Sequence, residues 1–191
     1  ASLGQNDGVI ALRQPGSALK PFIYAEAMKR LGFTPATILP DVEIHIPLPG
    51  GSDYVPHDYD EKHRGPVRLR EALGSSLNIP AVDTVRRVGT GHALERLHAF
   101  GFESLKEDAE HYGPALALGD GEVALLELAR AYVALARRGD FHPIRMVQAV
   151  ERAGQSHGVD LPPWGGPRAV DGVIAAMLAV SSLTAAWGVV P

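Results

Sequence analysis

The stretch that decides the fold reads Arg13-Gln14-Pro15-Gly16-Ser17-Ala18-Leu19-Lys20-Pro21-Phe22. Its Pro-Gly pair is typical of a loop, Ser17 is a residue type favoured at helix N-caps, and apolar residues then recur at helical spacing. The pattern predicts a helix from Ser17 to Leu31, ended by Gly32 as its C′ residue. In that helix Ser17 and Lys20 would share one face, since residues three apart are neighbours.

Two interpretations of the Ser17–Lys20 pair stay open at this point. A serine hydroxyl is a weak nucleophile, but a lysine amine kept partly neutral by burial and by the helix dipole can take its proton. The alternative is a capping serine beside a solvated lysine. With nine serines and four lysines in the chain, this spacing arises by chance in about one such sequence in five.

Composition excludes several classes of function. The chain has 191 residues, 46% of them hydrophobic and 21% charged, which is ordinary for one soluble globular domain. A net charge of −4 argues against nucleic acid as a partner, and no apolar run is long enough to form a membrane segment. The absence of cysteine excludes disulfides and thiolate chemistry. We expect no cofactor and no metal, and we interpret His57 and His63 as surface residues of a loop.

The rest of the pattern is mainly helical. We expect a loop over residues 34–41, a long loop over 49–66, a short helix from Val67 and a small-residue linker over 112–121. The strongest helix is predicted over 122–138, with a buried stripe of Leu125, Leu128, Ala129, Tyr132, Leu135 and Ala136. A strand is expected over 144–150, a loop over 154–166 and an apolar helix over 167–183.

A second candidate constellation is Ser76-Leu77-Asn78, which lies between two predicted helices. One interpretation is a junction turn in which the serine and the asparagine cap backbone groups. The other is a polar pair that reaches into a cleft, where the hydroxyl relays protons and the amide binds a peptide group.

Together with their surroundings, the two motifs resemble the transpeptidase domain of serine penicillin-binding proteins, most closely the 1C type of the bifunctional class A proteins. The similarity covers residues 10–150 well and 151–191 weakly, and it is far more specific than either short motif. Besides the opening stretch, it rests on Tyr54-x-Pro56, Gly65-Pro66-Val67, Ala72-Leu73-x-x-Ser76-Leu77-Asn78-Ile79-Pro80-Ala81-Val82, Tyr112-Gly113, Ala117-Leu118-Gly119-x-Gly121-Glu122-Val123-x-Leu125 and Ala131-Tyr132-x-x-Leu135-Ala136-x-x-Gly139.

The resemblance implies the α+β fold shared by penicillin-binding proteins and serine β-lactamases, with this chain as mainly its helical part. Ser17 matches the acylated serine, Lys20 its proton acceptor, and Ser76 and Asn78 the second motif. In the family the serine attacks the penultimate D-Ala carbonyl of a peptidoglycan stem peptide, and an amine from a neighbouring strand resolves the acyl-enzyme. The implied partners are stem peptides, β-lactam antibiotics and other cell-wall synthesis proteins. The implied location is periplasmic or extracytoplasmic, with attachment to the inner membrane through N-terminal parts outside this chain.

The family also requires a third motif, Lys-Thr/Ser-Gly, on the strand opposite the serine. None of the four lysines is followed by Thr/Ser-Gly. One oxyanion-hole donor comes from just after that motif, and such a donor is usually worth a few kcal/mol of barrier lowering. We therefore expect residues 1–191 to form a single partial transpeptidase domain, severely impaired or inactive by itself.

Two alternatives stay open beside the transpeptidase. The first is a catalytically silent binding or scaffold module of cell-wall synthesis, for which loop 49–66 would be the candidate surface. The second is a D,D-carboxypeptidase or β-lactamase-like hydrolase, which would use the same Ser-x-x-Lys arrangement with water as the acceptor. A Ser17→Ala change separates the scaffold from the transpeptidase, because a scaffold should keep its function without that hydroxyl.

Overall fold

Helix α1 (Lys20–Leu31) lies at the centre of the protein. The computed structural model describes residues 7–47, 53–142, 149–152 and 155–158. Every residue from Phe22 to Met28 is buried, so α1 is covered on all sides rather than along one stripe. It packs against α3 (Asn78–Val88) and α4 (Thr90–Ala99).

The start of α1 differs from the prediction. A 3₁₀ turn over Gly16–Leu19 precedes the α-helix, and its start has no side-chain capping hydrogen bond. Ser17 therefore lies inside the turn, and its prediction as an N-cap is wrong. The predicted end is confirmed, because Gly32 caps α1 with φ 67° and ψ 23° in the left-handed region, where glycine carries no steric penalty.

The strands are short and form two-stranded antiparallel pairs. The predicted loop over 34–41 is confirmed for residues 34–37 and wrong for 38–41. The predicted helical start at Val67 is also wrong, because residues 38–41 and 65–68 form one of these ladders. The pairs are β1 (Leu12–Arg13) with β6 (Val123–Ala124), β2 (Ile38–Asp41) with β5 (Gly65–Arg68), β3 (Ile46–Pro47) with β4 (Asp53–Tyr54), and β7 (Ala149–Arg152) with β8 (Gln155–Gly158).

Of the remaining helices, the first packs against α1, the second against α4, and the third reaches α1 through the Tyr132 ring. They are α2 (Leu69–Gly74), α5 (Ala109–Tyr112) and α6 (Leu125–Ala136). The predicted linker over 112–121 contains a second 3₁₀ helix, Gly113–Leu118, which packs against α3 and against the turn that carries Ser17. A segment rich in small residues thus has a packing role, because small residues let backbones approach closely.

Aromatic rings fill the space beside the first turns of α1. The Phe22 ring meets those of Phe100 and Phe102 edge-to-face, with centroids 4.8 and 5.2 Å apart, and that of Tyr132 at 5.4 Å. Edge-to-face pairs contribute about 0.5–1.5 kcal/mol beyond the burial of their area. This cluster fixes the position of α1 directly after the Ser17 turn.

The buried stripe predicted for α6 is confirmed at Leu135 and wrong at Leu125, Ala129, Tyr132 and Ala136. Leu125 and Tyr132 are 56% and 40% exposed, whereas Ala131, Ala134 and Leu135 are buried. The buried face is thus rotated around the helix axis from the predicted one. Periodicity identifies an amphipathic helix, but which face the neighbours cover depends on the tertiary structure.

The observed mixture of helices with short antiparallel strands agrees with the predicted fold class. Strand β7 overlaps the predicted strand over 144–150, while β8 lies inside the predicted loop over 154–166. The predicted helix over 167–183 lies outside the described residues. In the part of the chain that the structure describes, no helix is both long and apolar enough to cross a membrane.

Candidate active site

The Lys20 amine is the centre of the candidate site. Its side chain is buried, with 1% of the residue exposed, and Nζ donates three hydrogen bonds. The acceptors are the Ser76 carbonyl oxygen at 2.5 Å, Ser76 Oγ at 3.2 Å and Asn78 Oδ1 at 2.7 Å. The structure therefore brings the two sequence motifs into direct contact through Lys20, although they lie far apart along the chain.

Local backbone geometry explains why Ser76 faces the lysine. Ser76 lies in the turn between α2 and α3 and has φ 55°, in the left-handed region that non-glycine residues rarely adopt. The turn is closed by the Ser76 amide, which donates to the Leu73 carbonyl at 3.1 Å, and by the Leu77 amide, which donates to the Ala72 carbonyl at 2.9 Å. Leu77 is buried and anchors the turn, so that both oxygen atoms of Ser76 reach Lys20.

The Asn78 side chain is held at both ends. Its Oδ1 accepts from Lys20, and its Nδ2 donates to the His57 carbonyl oxygen at 2.8 Å. The Asn78 backbone amide donates to Asp58 Oδ1, and so does the Ile79 amide at 3.3 Å. The segment around His57 and Asp58 therefore belongs to the wall of the site.

Burial changes the acidity of the lysine. Loss of solvent lowers the pKa of Lys20 from 10.5 to about 8, and the negative charge of Asp58 partly opposes that shift. A free lysine is almost entirely charged at pH 7, whereas an amine with a pKa of about 8 is neutral in about one molecule in ten. Lys20 is thus able to accept a proton near neutral pH, as a general base must.

Ser17 lies one 3₁₀ turn before Lys20. A 3₁₀ helix has three residues per turn, so side chains three apart lie one above the other. Ser17 is exposed, and in the described part of the chain no hydrogen bond joins its hydroxyl to the Lys20 amine. Its turn is held by the Lys20 amide, which donates to the Ser17 carbonyl, and by the Tyr132 hydroxyl, which donates to the Ala18 carbonyl at 3.0 Å.

A glycine contact supports this turn from behind. Gly119 has φ 84°, and a Cβ atom added to it would lie 2.2 Å from the nitrogen and 2.5 Å from the Cα of Gly16. Ordinary contacts between such atoms are about 3.5–4.0 Å. Only a residue without a side chain fits at position 119 while the backbone before Ser17 stays where it is.

The described residues contain no group of three or more metal-ligating side chains placed to hold an ion. His57 and His63 are both exposed, as interpreted from the sequence. The His57 carbonyl nevertheless contacts Asn78.

The sequence motifs thus correspond to a geometric constellation of serine, lysine and a serine–asparagine turn. Comparison with known protein families points to the same family as the sequence motifs. The family described as penicillin-binding protein transpeptidase domain matches residues 5–175. The chain belongs to this family.

Relatives of the chain carry a consistent description. Over 136 aligned residues the chain is 37% identical to penicillin-binding protein 1A of Neisseria meningitidis. The alignment covers 70% of the chain and 16% of that protein. Over 127 aligned residues it is 40% identical to penicillin-binding protein 1A of Haemophilus influenzae. This alignment covers 66% of the chain and 14% of that protein. The chain therefore spans about one-sixth of the length of these relatives, and the 1C subtype remains a prediction.

Solved structures share the fold. The crystal structure of penicillin-binding protein 1A from Haemophilus influenzae superposes with a TM-score of 0.73 at 30% identity, over 89% of this chain and 27% of that one. Penicillin-binding protein PonA1 from Mycobacterium tuberculosis superposes with a TM-score of 0.76 at 22% identity, over 93% of this chain and 48% of that one. The predicted family and α+β fold class are confirmed.

Sequence reasoning missed two residues of the site, Asp58 and Gly119. Both lie in or beside stretches that carry the family resemblance, Tyr54-x-Pro56 and Ala117-Leu118-Gly119. Neither is a nucleophile or a base. An ordered loop without periodicity was the available signal for Asp58, and a glycine inside a small-residue segment was the signal for Gly119.

Proposed function

We propose that this chain carries the acylation half of a serine D,D-transpeptidase, with Ser17 as nucleophile and Lys20 as general base. The observation that carries the proposal is the buried Lys20 amine, with its pKa lowered to about 8, held against Ser76 and Asn78 one turn from Ser17. A lysine exposed to solvent would donate its hydrogen bonds to water and would not need three acceptors within the protein.

In the proposed reaction, neutral Lys20 takes the proton of the Ser17 hydroxyl as Oγ bonds to the penultimate D-Ala carbonyl carbon. The tetrahedral intermediate collapses when the C–N bond to the terminal D-Ala breaks, and the proton passes to that leaving amine. The Ser17 backbone N–H is one donor to the developing oxyanion. An acceptor amine from a second stem peptide then attacks the ester carbon and gives a proton to Lys20. The bond to Ser17 Oγ breaks as that oxygen takes the proton back from Lys20, and the cross-link is formed.

The second motif has a distinct role in this proposal. Asn78 Oδ1 and the two Ser76 oxygens hold the amine in place, and the Ser76 hydroxyl relays the proton between Lys20 and the leaving group. Hydrogen bonds in catalytic sites often tighten only once the substrate is bound. The exposed Ser17 hydroxyl thus has room to meet both the carbonyl carbon and the lysine.

Stem peptides and β-lactams are the proposed partners, since a β-lactam ring presents a strained acyl group to the same serine. Solved relatives are described as acyl-enzyme complexes with ceftriaxone and with imipenem. Because its relatives are penicillin-binding proteins, we propose that the chain acts outside the cytoplasm, where peptidoglycan is cross-linked. Attachment to the inner membrane through parts outside this chain remains part of the proposal.

The test is labelling with a fluorescent penicillin, followed by mass spectrometry of the labelled peptide. It uses both the isolated chain and the native polypeptide that contains it. We expect the native polypeptide to be labelled at Ser17, and Ser17→Ala to abolish labelling. Ser75→Ala, which changes an exposed serine outside the Lys20 contacts, is the matched control and should be labelled like the native protein.

The isolated chain should be labelled slowly or not at all, since it contains no Lys-Thr/Ser-Gly motif. Stoichiometric labelling of the isolated chain would contradict that expected impairment but support Ser17 as nucleophile. A native polypeptide that stays unlabelled, and keeps its cellular role as Ser17→Ala, would overturn the enzymatic proposal in favour of a scaffold module.

A further inference from the structure

Two buried carboxylates lie behind the candidate site. Asp41 is fully buried and Asp58 is 5% exposed, and the Arg64 guanidinium contacts both. Arg64 Nη1 is 3.6 Å from Asp41 Oδ2 and 3.4 Å from Asp58 Oδ2, while Nη2 reaches the more exposed Asp60 at 2.8 Å. Burial raises the pKa of Asp41, and the neighbouring Asp58 raises it further. Buried acids are costly unless they are paired and hydrogen-bonded.

The second oxygen of Asp58 connects this cluster to the site. Asp58 Oδ1 accepts hydrogen bonds from the backbone amides of Asn78 and Ile79, which are the first residues of α3. The residue before them, Leu77, offers no side-chain cap. Asp58 therefore does from a remote loop what an N-cap residue normally does locally, and its negative charge suits the positive end of the helix.

We propose that Asp58 is a positioning residue for the Lys20–Asn78 contact, acting from the loop between β4 and β5. The inference rests on the proposed function for its catalytic consequence only. Asp58 fixes the backbone of Asn78, and the adjacent His57 carbonyl fixes the Asn78 amide group. The same short segment thus sets both the place and the orientation of the oxygen that holds the lysine amine.

The charge of Asp58 matters as well as its shape. Lys20 is faced by the neutral acceptors of Ser76 and Asn78, and Asp58 is the charged group whose field opposes the effect of burial on the Lys20 amine. Arg64 holds the Asp58 carboxylate from the opposite side. Removing the charge of Asp58 while keeping its shape should therefore change the titration of Lys20. The same change at a residue that only supports the fold would leave that titration unaltered.

The test compares three variants of the native polypeptide. Asp58→Asn keeps the shape and one acceptor oxygen, Asp58→Ala removes both, and Asp60→Asn is the control. The control removes the same charge from a neighbouring residue that also contacts Arg64. We expect fluorescent-penicillin acylation to slow about 100-fold in Asp58→Ala, because misplacing a catalytic group by about 1 Å has that effect. Compared at about pH 9, where Lys20 with a pKa of about 8 is mostly neutral, Asp58→Asn should slow it about tenfold, since a neutral acceptor bonds less strongly than a charged one, and Asp60→Asn less than twofold.

A second measurement does not depend on activity. ¹³Cε-lysine NMR follows the titration of individual lysines, and the Lys20 signal is identified by its loss in Lys20→Gln. Asp58→Asn should lower the pH at which Lys20 titrates, and Asp60→Asn should leave it unchanged. Asp58→Asn preserves the side-chain shape and decides the question if Asp58→Ala fails to fold.

The two measurements separate the two proposals. A native protein that is not acylated, but in which Asp58→Asn shifts the Lys20 titration as expected, refutes the proposed function and supports the positioning role. Acylation that proceeds at the native rate in Asp58→Asn, with an unchanged Lys20 titration, overturns the positioning role alone.

Discussion

The substitution Gly119→Ala tests how closely the turn that carries Ser17 depends on its support. A Cβ at position 119 would lie 2.2 Å from the Gly16 nitrogen and 2.7 Å from the Gly16 oxygen. Relief to an ordinary contact of about 3.5 Å requires a backbone movement of about 1 Å. Because Gly16 directly precedes Ser17, the nucleophile moves with it, and a displacement of that size slows a reaction about 100-fold.

A matched control separates the steric overlap from the backbone conformation. Gly119 and Gly32 both end a helical segment in the left-handed region, at φ 84° and 67° respectively, but a Cβ at Gly32 would meet nothing within 4 Å. Both changes to alanine carry the left-handed penalty of about 1–2 kcal/mol. Only Gly119→Ala adds the collision with Gly16.

The assay follows the acylation rate of the native polypeptide by stopped-flow fluorescence with a labelled penicillin, at several penicillin concentrations, and follows unfolding by urea titration. We expect Gly32→Ala to lose stability but to acylate at the native rate once folded. Gly119→Ala should lower the acylation rate constant far more than it weakens the initial binding of penicillin. Native-rate acylation in Gly119→Ala, or an equal loss in Gly32→Ala, would refute the reasoning.

Two further predictions concern the base and the core. Acylation should rise about tenfold per pH unit below pH 8 and level off above it, because Lys20, with its pKa lowered to about 8, must lose its proton to act as a base; a rate that is flat between pH 6 and 9 would contradict this role. Arg96→Ala should lower the free energy of unfolding by about 2 kcal/mol, because Arg96 pairs with the buried Glu26, which would keep only the more exposed Arg30 at 3.4 Å as its partner. Arg68→Ala, which breaks the ion pair with Glu71 in which both side chains are about half exposed, should cost only about 0.5 kcal/mol, and equal losses in urea titrations would show that burial is not the deciding factor.

Features with local signatures were predictable from the sequence. Gly32 ends α1 as expected, because a glycine after a run of helical periodicity needs no distant partner to adopt the left-handed conformation. The position of Ser76 and Asn78 at a helix junction follows from the same kind of signal. Ser17 and Lys20 lie one turn apart, although the turn is 3₁₀ and has no N-cap at Ser17, and their functional pairing remains a prediction.

Features that depend on distant partners were not predictable in this way. Strand β2 contains Pro40 and resembles a loop until it pairs with β5. The buried face of α6 is set by what packs against Ala131 and Leu135 rather than by the periodicity of the helix alone. Nothing in the sequence near Asn78 indicates the cap that Asp58 supplies to α3. The donor, the Asn78 amide, and the acceptor, the Asp58 carboxylate, are separated by 20 positions along the chain.

The three acceptors around Lys20 match the protonated amine, since an ammonium group has three N–H donors. A neutral amine has two donors and one lone pair, so loss of the proton leaves one acceptor without a partner. The Ser76 carbonyl and Asn78 Oδ1 only accept, whereas the Ser76 hydroxyl, at 3.2 Å the longest of the three contacts, can rotate and donate to the lone pair. A glycine would adopt the left-handed φ of 55° at position 76 at less cost than serine. Serine, unlike glycine, has a hydroxyl at position 76 that can donate to neutral Lys20. The buried amine therefore stays hydrogen-bonded in both of its protonation states.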